Sequence, residues 1–380
     1  MIYFLSGGGS GGHLTPIIAV AEDLRKRYPD AEIHAVVHRG DKLNSLVSEN
    51  KVFNNVHPIF AGKLRRYHGQ GLRGIGVIES LKNIRDLGYL GLGFLQSCYL
   101  MLRYKPNAIL MRGGYIGVPL GFAARLFSRP YITHDSDALA SLANRLIARG
   151  ARAHAVSASS EHYPYPKAKT FVTGIPLKNT FMLVDNKSQT AAKQKLGLTP
   201  EDKLVLITGG GLGAARLNEA AAKALTPLLQ SDKRLNIVHL SGLSQIDIVK
   251  SSYKDHDRVK VYGFREDIAD ISAASDLVIT RAGATAMAEF ALQGKPMIIV
   301  PNPMLTGGHQ IHNALAYQLN GAAEIVEEQE LDLKLGAAVS VLLEHAKKRE
   351  SLSQKARKMS DNGAAGRVVD LLIKIQREKK

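Results

Sequence analysis

The chain has 380 residues, 45% of them hydrophobic, a formal net charge of +16, no Trp and a single cysteine. That length supports two domains with full cores, and one cysteine excludes an internal disulfide and fits a reducing compartment. The excess of Lys and Arg favours anionic partners; with no basic helix interleaved with aromatics and no zinc-finger or RNP pattern, no nucleic acid partner is expected.

Ile2–Ser6 reads as a strand and Thr15–Tyr28 as a helix with Pro16 in its first turn. Between them lies GGGSGGH, Gly7–His13, a turn that brings backbone N–H groups and a helix N-terminus together, as an anionic group requires. The chain enters this strand with no basic n-region or apolar h-region, so no secretory leader is expected. Ile33–Val37 is a second strand, and Phe60–Gly76, rich in Gly and Arg, reads as a long loop. Leu87–Leu102 is apolar apart from Gln96 and a few small residues. As a helix it would reach about 24 Å at ~1.5 Å per residue, short of the ~30 Å hydrocarbon core, which makes it a buried or interfacial helix. Arg65, Arg66, Arg73, Lys82, Arg85, Arg103 and Lys105 surround it, as suits a surface resting on acidic headgroups; solvated neighbours of a core helix are the plainer reading. Cys98 within it reads as a small apolar residue on a buried face. Ala108–Met111, Tyr131–Thr133 and Ala153–Val156 continue an alternation that implies parallel strands with helices on both faces.

Turn residues and polar composition mark a boundary near Pro176 to Pro200. Beyond it the alternation repeats, with strands at Leu204–Thr208, Asn236–Leu240, Val259–Tyr262, Leu277–Thr280 and Met297–Val300 and helices opening near Ala214, Ala284 and His309. The tail from Leu331 is helical and charged. One glycine-rich turn in each half predicts an α/β protein of two Rossmann-like, doubly wound domains with a ligand cleft between them. The expected divisions are 1–178, a linker at 179–200, 201–350, and helices at 351–380 that pack back on the first domain.

Several residues could carry chemistry. His13 stands beside any group bound at the first helix start, where a neutral imidazole accepts a proton near physiological pH; helix capping is its plainer role. In GGGLGAARLNE, Gly209, Gly210, Gly211 and Gly213 precede a helix without the Lys-Ser or Lys-Thr of a Walker A loop. Thr285, in RAGATAMAE, falls at a helix N-terminus that would welcome a diphosphate. Glu289, one turn along, could accept hydrogen bonds from both ribose hydroxyls. Gln310 and Asn313, at i and i+3, share a helix face and suit sugar hydroxyls. His309 and His312 lack a third ligand, which argues against a metal. Asp135 and Asp137 form a D-x-D between strand and helix, where Asp137 would serve as an N-cap or face a ligand.

Taken in order, GGSGGH (Gly8–His13), RGGYIGVP (Arg112–Pro119), THDSD, GIPLK (Gly174–Lys178), GGGLGAARLN, RAGATAMAE and HQIHNA resemble the MurG family of UDP-N-acetylglucosamine transferases over nearly the whole chain. The resemblance implies the GT-B architecture, with no cofactor and no required metal. It also implies UDP-GlcNAc in the C-terminal domain and a polyprenyl-diphosphate-linked acceptor at the N-terminal domain. The protein would then be peripheral, on the anionic cytoplasmic face of the cell membrane. By position, Ala284, Thr285, Ala286, Met287, Ala288 and Glu289 would bind the nucleotide, and Phe264 and Arg265 would line the uracil pocket largely through backbone. Gln310 and Asn313 would address the GlcNAc hydroxyls, Ser10, Gly11 and Gly12 would form the first loop, and His13 would be the base. Gly211 stands where the family commonly has Ser, Asp137 where it has Asn, and Lys178 where it has Arg; all three are expected near substrate. The rival readings are a GT-B transferase acting on another lipid and a silent nucleotide-sugar-binding protein.

Overall fold

A computed structural model of the chain describes residues 1–8, 11–41, 44–62, 77–211, 213–254 and 256–377. They form two units, Met1–Lys178 with Met304–Gly307 and Asn362–Lys380, and Asn179–Pro303 with Gly308–Asp361.

The first unit follows from short Val-, Ile- and Ala-rich runs that are buried on both faces, the signature of parallel strands under helices. In chain order it holds β1 (Ile2–Ser6), α1 (Gly11–Arg27), β2 (Glu32–His38), α2 (Ser45–Ser48), β3 (Asn55–Ile59), α3 (Val77–Tyr104) and β4 (Ala108–Met111). It continues with α4 (Gly117–Leu126), β5 (Tyr131–Asp135), α5 (Leu142–Ile147), β6 (Ala153–Val156) and β7 (Thr170–Val172). The strands run parallel in the order β3-β2-β1-β4-β5-β6-β7. Leu5 of β1 pairs with Ala35 on one side and Leu110 on the other. Phe4, Val36, Ile109, Leu120 and Tyr131 fill the core beneath α3 and α4.

The second unit contains α6 (Asn186–Lys195), β8 (Lys203–Thr208), α7 (Ala215–Ser231), β9 (Leu235–Leu240), α8 (Ile246–Ser252), β10 (Val259–Tyr262), α9 (Ile268–Ala274) and β11 (Leu277–Arg281). It continues with α10 (Ala284–Leu292), β12 (Met297–Val300), α11 (His309–Leu319), β13 (Glu324–Ile325), α12 (Leu331–Glu344) and α13 (Ala346–Arg357). Its parallel sheet has the order β10-β9-β8-β11-β12-β13. The last helix, α14 (Ala364–Arg377), belongs to the first unit: Val368, Val369, Leu372 and Ile375 are buried as it packs on α1. Tyr3 Oη donates to Gln376 Oε1 at 2.7 Å, and Arg27 meets Asp370 at 2.8 Å.

Four local expectations differ from the structure. The helix after the first glycine turn begins at Gly11, so His13 lies in its first turn and Pro16 inside it. The stretch 179–200, expected as a linker, carries α6, which Asp185 and Ser188 close with a capping box and which packs on α9. Lys193 of α6 is buried in an ion pair with Asp276 at 2.9 Å, so this segment is part of the second unit's fold. The expected division at 351 falls within α13, which stays with the second unit. The apolar helix around Leu87–Leu102 extends over Val77–Tyr104, and Arg65, Arg66 and Arg73 lie outside the described residues. Among the described residues no helix is long and apolar enough to cross a membrane.

Four histidines, three of them buried and His57 half-buried, couple this fold to pH. Burial pushes His134 and His239 down to about 3 and His57 and His154 down to about 4. In the unfolded chain such rings take up protons near pH 6.5, whereas in the fold they stay neutral, so the unfolded state binds more protons as pH falls below that value. Urea midpoints are therefore expected to fall steadily from about pH 6.5 toward 4. An unfolding free energy that stays flat over this window would contradict the burial.

Candidate active site

In parallel α/β sheets ligands bind beyond the carboxyl ends of strands, where the strand order reverses. In the first unit that point lies between β1 and β4, and the turns leaving those strands carry His13 and Arg112. Gly7 lets the first turn close tightly, because a Cβ there would lie 2.5 Å from His13 O. His13 Nδ1 is 3.3 Å from the Arg112 carbonyl oxygen and 3.5 Å from Arg112 Nη1. Arg112 Nη2 donates to Gly12 O at 3.1 Å. Gly11 opens α1, Gly12 is exposed in its first turn, and Ser10 lies outside the described residues.

Arg112 is buried, which lowers its guanidinium to about 10 against the opposing pull of Asp137 and Asp135. It therefore remains a cation at neutral pH, held beside a half-buried imidazole. His134, at the end of β5, donates from Nε2 to Gly174 O at 3.0 Å, tying the THDSD segment to GIPLK. Lys178 closes the latter segment, half-buried, and Arg367 of α14 donates to Thr173 O at 2.8 Å. Tertiary packing thus ties RGGYIGVP to the first glycine turn and THDSD to GIPLK. Sequence reasoning named the segment containing Arg112 without singling out that side chain; the available signal was a lone cation directly after an apolar strand.

The two aspartates of D-x-D do different things. Asp135 is buried; Oδ1 accepts from Ser141 N at 2.9 Å and Oδ2 from Tyr165 Oη at 2.6 Å. Burial raises its carboxyl above the usual range. Asp137 does not cap the following helix, as its position suggested: Ser141 does, its Oγ accepting from Asn144 N at 3.2 Å. Asp137 is half-buried, its backbone oxygen accepts from Tyr163 Oη at 2.9 Å, and its charge acts on Arg112.

In the second unit the order reverses between β8 and β11. The glycine turn with Gly211 follows β8, and the Gly283–Thr285 turn follows β11. Gly213 needs its freedom: φ is +78° and a Cβ would lie 2.2 Å from Ser241 O. Behind it, His239 Nε2 donates to Asn218 Oδ1 at 3.0 Å and Asn218 Nδ2 donates to Ser241 O at 2.8 Å, locking α7 to the end of β9. Gly213→Ala is expected to lower stability by more than ~2 kcal/mol, seen as a lower urea midpoint; an unchanged midpoint would show that the turn relaxes.

Helix α10 opens at Ala284, behind the N-cap Gly283. Thr285 and Glu289 are both buried on its first two turns, with Met287 and Ala288 in the core and Ala286 half-buried. Asn313 Nδ2 donates to Ala282 O at 3.0 Å, and Gln310 Oε1 accepts from Asn302 N at 2.9 Å. Both amides therefore anchor backbone, and Asn313 binds the start of α11 to the turn that opens α10. Arg265 turns its side chain away into an ion pair with Asp267 at 2.5 Å and over the Tyr262 ring. His312 is exposed, and among the described residues no three His, Cys, Asp or Glu side chains gather where a metal ion could be held.

Residues 3–156 match the glycosyltransferase family 28 N-terminal domain and residues 204–368 the glycosyltransferase family 28 C-terminal domain. A UDP-N-acetylglucosamine--N-acetylmuramyl-(pentapeptide) pyrophosphoryl-undecaprenol N-acetylglucosamine transferase of Desulfotalea psychrophila is 32% identical, over 96% of this chain and 94% of its own. The protein of that name from Desulforudis audaxviator is 31% identical, over 99% and 98%. The crystal structure of Acinetobacter baumannii MurG superimposes with a TM-score of 0.70 at 25% identity, covering 98% of this chain and 99% of that one. With twin parallel-sheet units, glycine turns at both switch points and this similarity along its length, the chain belongs to the MurG family of GT-B UDP-N-acetylglucosamine transferases.

Proposed function

We propose that the chain transfers GlcNAc from UDP-GlcNAc to the C4 hydroxyl of the N-acetylmuramyl residue in undecaprenyl-pyrophosphoryl-N-acetylmuramyl pentapeptide, converting lipid I to lipid II in peptidoglycan synthesis. The observation that carries this reading is the placement of Thr285 and Glu289, buried one turn apart on a helix that opens at a sheet switch point. Backbone N–H groups at the start of α10 receive the diphosphate and Glu289 the ribose. Gln310 and Asn313, held against backbone, present their remaining amide valences to the sugar.

The reaction is one in-line displacement. The acceptor hydroxyl attacks the anomeric carbon, the O4–C1 bond forms as the bond from C1 to the diphosphate oxygen breaks, and the α-linked donor gives a β-1,4 product. The hydroxyl proton passes to His13. The dipole of α10 stabilises charge on the departing UDP without reorganising, the largest service a preformed site renders. No step in this scheme needs a metal. Following UDP release with UDP-GlcNAc and a short-chain lipid I analogue, with and without EDTA, tests it. Turnover unaffected by EDTA is expected; loss in EDTA would revive a cation at D-x-D, and turnover only with diacylglycerol would move the chain to another lipid acceptor.

The acceptor reaches the first unit from a membrane surface. Ile84 and Leu87, then two turns on Leu95, Tyr99 and Leu102, leave an apolar stripe of α3 in solvent, Leu95 being 65% exposed. Beside it, Leu90, Phe94, Pro119, Phe122 and Leu126 line a groove of about 750 Å³ between α3 and α4. Such a stripe marks an interaction face, and Arg85, Arg103 and Lys105 at its flanks suit anionic headgroups. Leu95→Glu with Tyr99→Glu is expected to reduce co-sedimentation with anionic vesicles at least ~10-fold while sparing turnover of a water-soluble acceptor analogue. Retained vesicle binding would remove α3 from the docking face.

A further inference from the structure

Pro16 lies five residues into α1, so the backbone N–H that would reach Gly12 O in a regular helix is missing. Arg112, from the turn after β4, supplies the replacement: its Nη2 donates to that carbonyl at 3.1 Å. The same residue brings two atoms to His13 Nδ1, its carbonyl oxygen at 3.3 Å and its Nη1 at 3.5 Å; a protonated Nδ1 donates to the nearer carbonyl, whereas a bare Nδ1 would accept from Nη1. We propose that Arg112 is a positioning residue for His13, clamping the first turn of α1 through Gly12 and occupying the ring's Nδ1, so that Nε2 is the nitrogen that takes the acceptor's proton.

The chemistry follows from those contacts and rests on His13 being the base. With Nδ1–H donating to the Arg112 carbonyl, the lone pair resides on Nε2, the tautomer a general base needs. The guanidinium beside the ring opposes the gain of a second positive charge there. The charged and titratable groups around the pair are Asp135 and Asp137, which act on Arg112, and His134, which senses both Arg112 and His13. Asp135 and Asp137 moderate the cation, and His134 is neutral at physiological pH because burial holds it near 3.

The test uses the full chain with ¹⁵N-histidine labelling, His13 being assigned from a His13→Gln variant. In the wild type, His13 should show the Nδ1–H tautomer. Arg112→Met should raise the pH of its half-titration by about one unit and cut kcat at least ~10-fold, with KM for UDP-GlcNAc within about twofold. Arg112→Lys keeps the charge without the fork, so the titration should stay near wild type while kcat falls. Pro16→Ala, which restores a competing N–H for Gly12 O, should lower kcat severalfold in a chain at least as stable as wild type. In a His13→Ala background, Arg112→Met should add no further loss. An Nε2–H tautomer, an unmoved titration in Arg112→Met, wild-type kcat in Pro16→Ala or an additive double variant would each overturn the proposal. Wild-type turnover in His13→Ala alone would instead remove His13 as base, while the titration would still report whether Arg112 acts on the ring.

Discussion

Replacing Glu289 by Ala is expected to reduce kcat/KM for UDP-GlcNAc by ~10²–10³, since two hydrogen bonds to a carboxylate contribute about 1.5–2 kcal/mol each. Isothermal titration with UDP should show a matching loss of affinity, because the ribose contacts are made in the ground state as well as in the transition state. Glu289 is buried on α10 one turn from Thr285. A ribose held there keeps the diphosphate at the helix start, so the loss should fall on both substrate binding and leaving-group stabilisation. Glu289→Gln separates the effects of charge and shape: it preserves volume but keeps only one accepting oxygen, its NH2 being a donor, and should lie between Ala and wild type. Wild-type UDP affinity in Glu289→Ala would dismantle the donor assignment, and a fold check by urea unfolding guards against a merely misfolded variant.

The second large effect is expected at His13. His13→Ala should lower kcat by ~10²–10⁴, the usual contribution of a positioned proton acceptor, while KM for UDP-GlcNAc stays near wild type because the ring belongs to the first unit and the proposed nucleotide site, at Thr285 and Glu289, to the second. The sign with pH is definite. A base works unprotonated, so wild-type activity should fall as pH drops through the titration of the imidazole, and that acid limb should vanish in the variant. Acid unfolding driven by these four histidines runs in the same direction, so rates need to be read at pH values where urea midpoints remain high. A variant that binds both substrates and turns over at the wild-type rate would show that His13 only organises the helix start. A wild type that binds UDP-GlcNAc without ever transferring it would favour the silent binding protein.

Much of this architecture was legible before any coordinates. Runs such as LVLIT at 204–208 and AILM at 108–111 are too apolar for half-buried strands, and each sits between helical patterns, which leaves parallel sheets as the way to bury both faces. The helix starting at Ala284 was equally plain, because a strand, a small-residue turn and a helix-forming run follow one another within RAGATAMAE. Less legible were the edges. β3 contains Pro58, β7 has three residues and β13 two, so none shows the periodicity that marks a strand, and sheet pairing alone defines them. Helix α6 was hidden by its polar sequence; its capping box and the buried Lys193–Asp276 pair hold it in place.

The sequence by itself determined the fold class, the two glycine turns, the order of the family's motifs and the candidate groups at His13, Thr285 and Glu289, because these depend on local periodicity and short spacings. Only the tertiary structure decided what those groups touch. Arg112 is 99 residues from His13 along the chain, yet its guanidinium and carbonyl meet the ring. Asp135 is taken up by Tyr165 and Ser141, Asp137 yields helix capping to Ser141, and Gln310 and Asn313 hold backbone. Such partnerships are set when strands distant in sequence come together in one sheet, and no local pattern encodes which donor will find which acceptor.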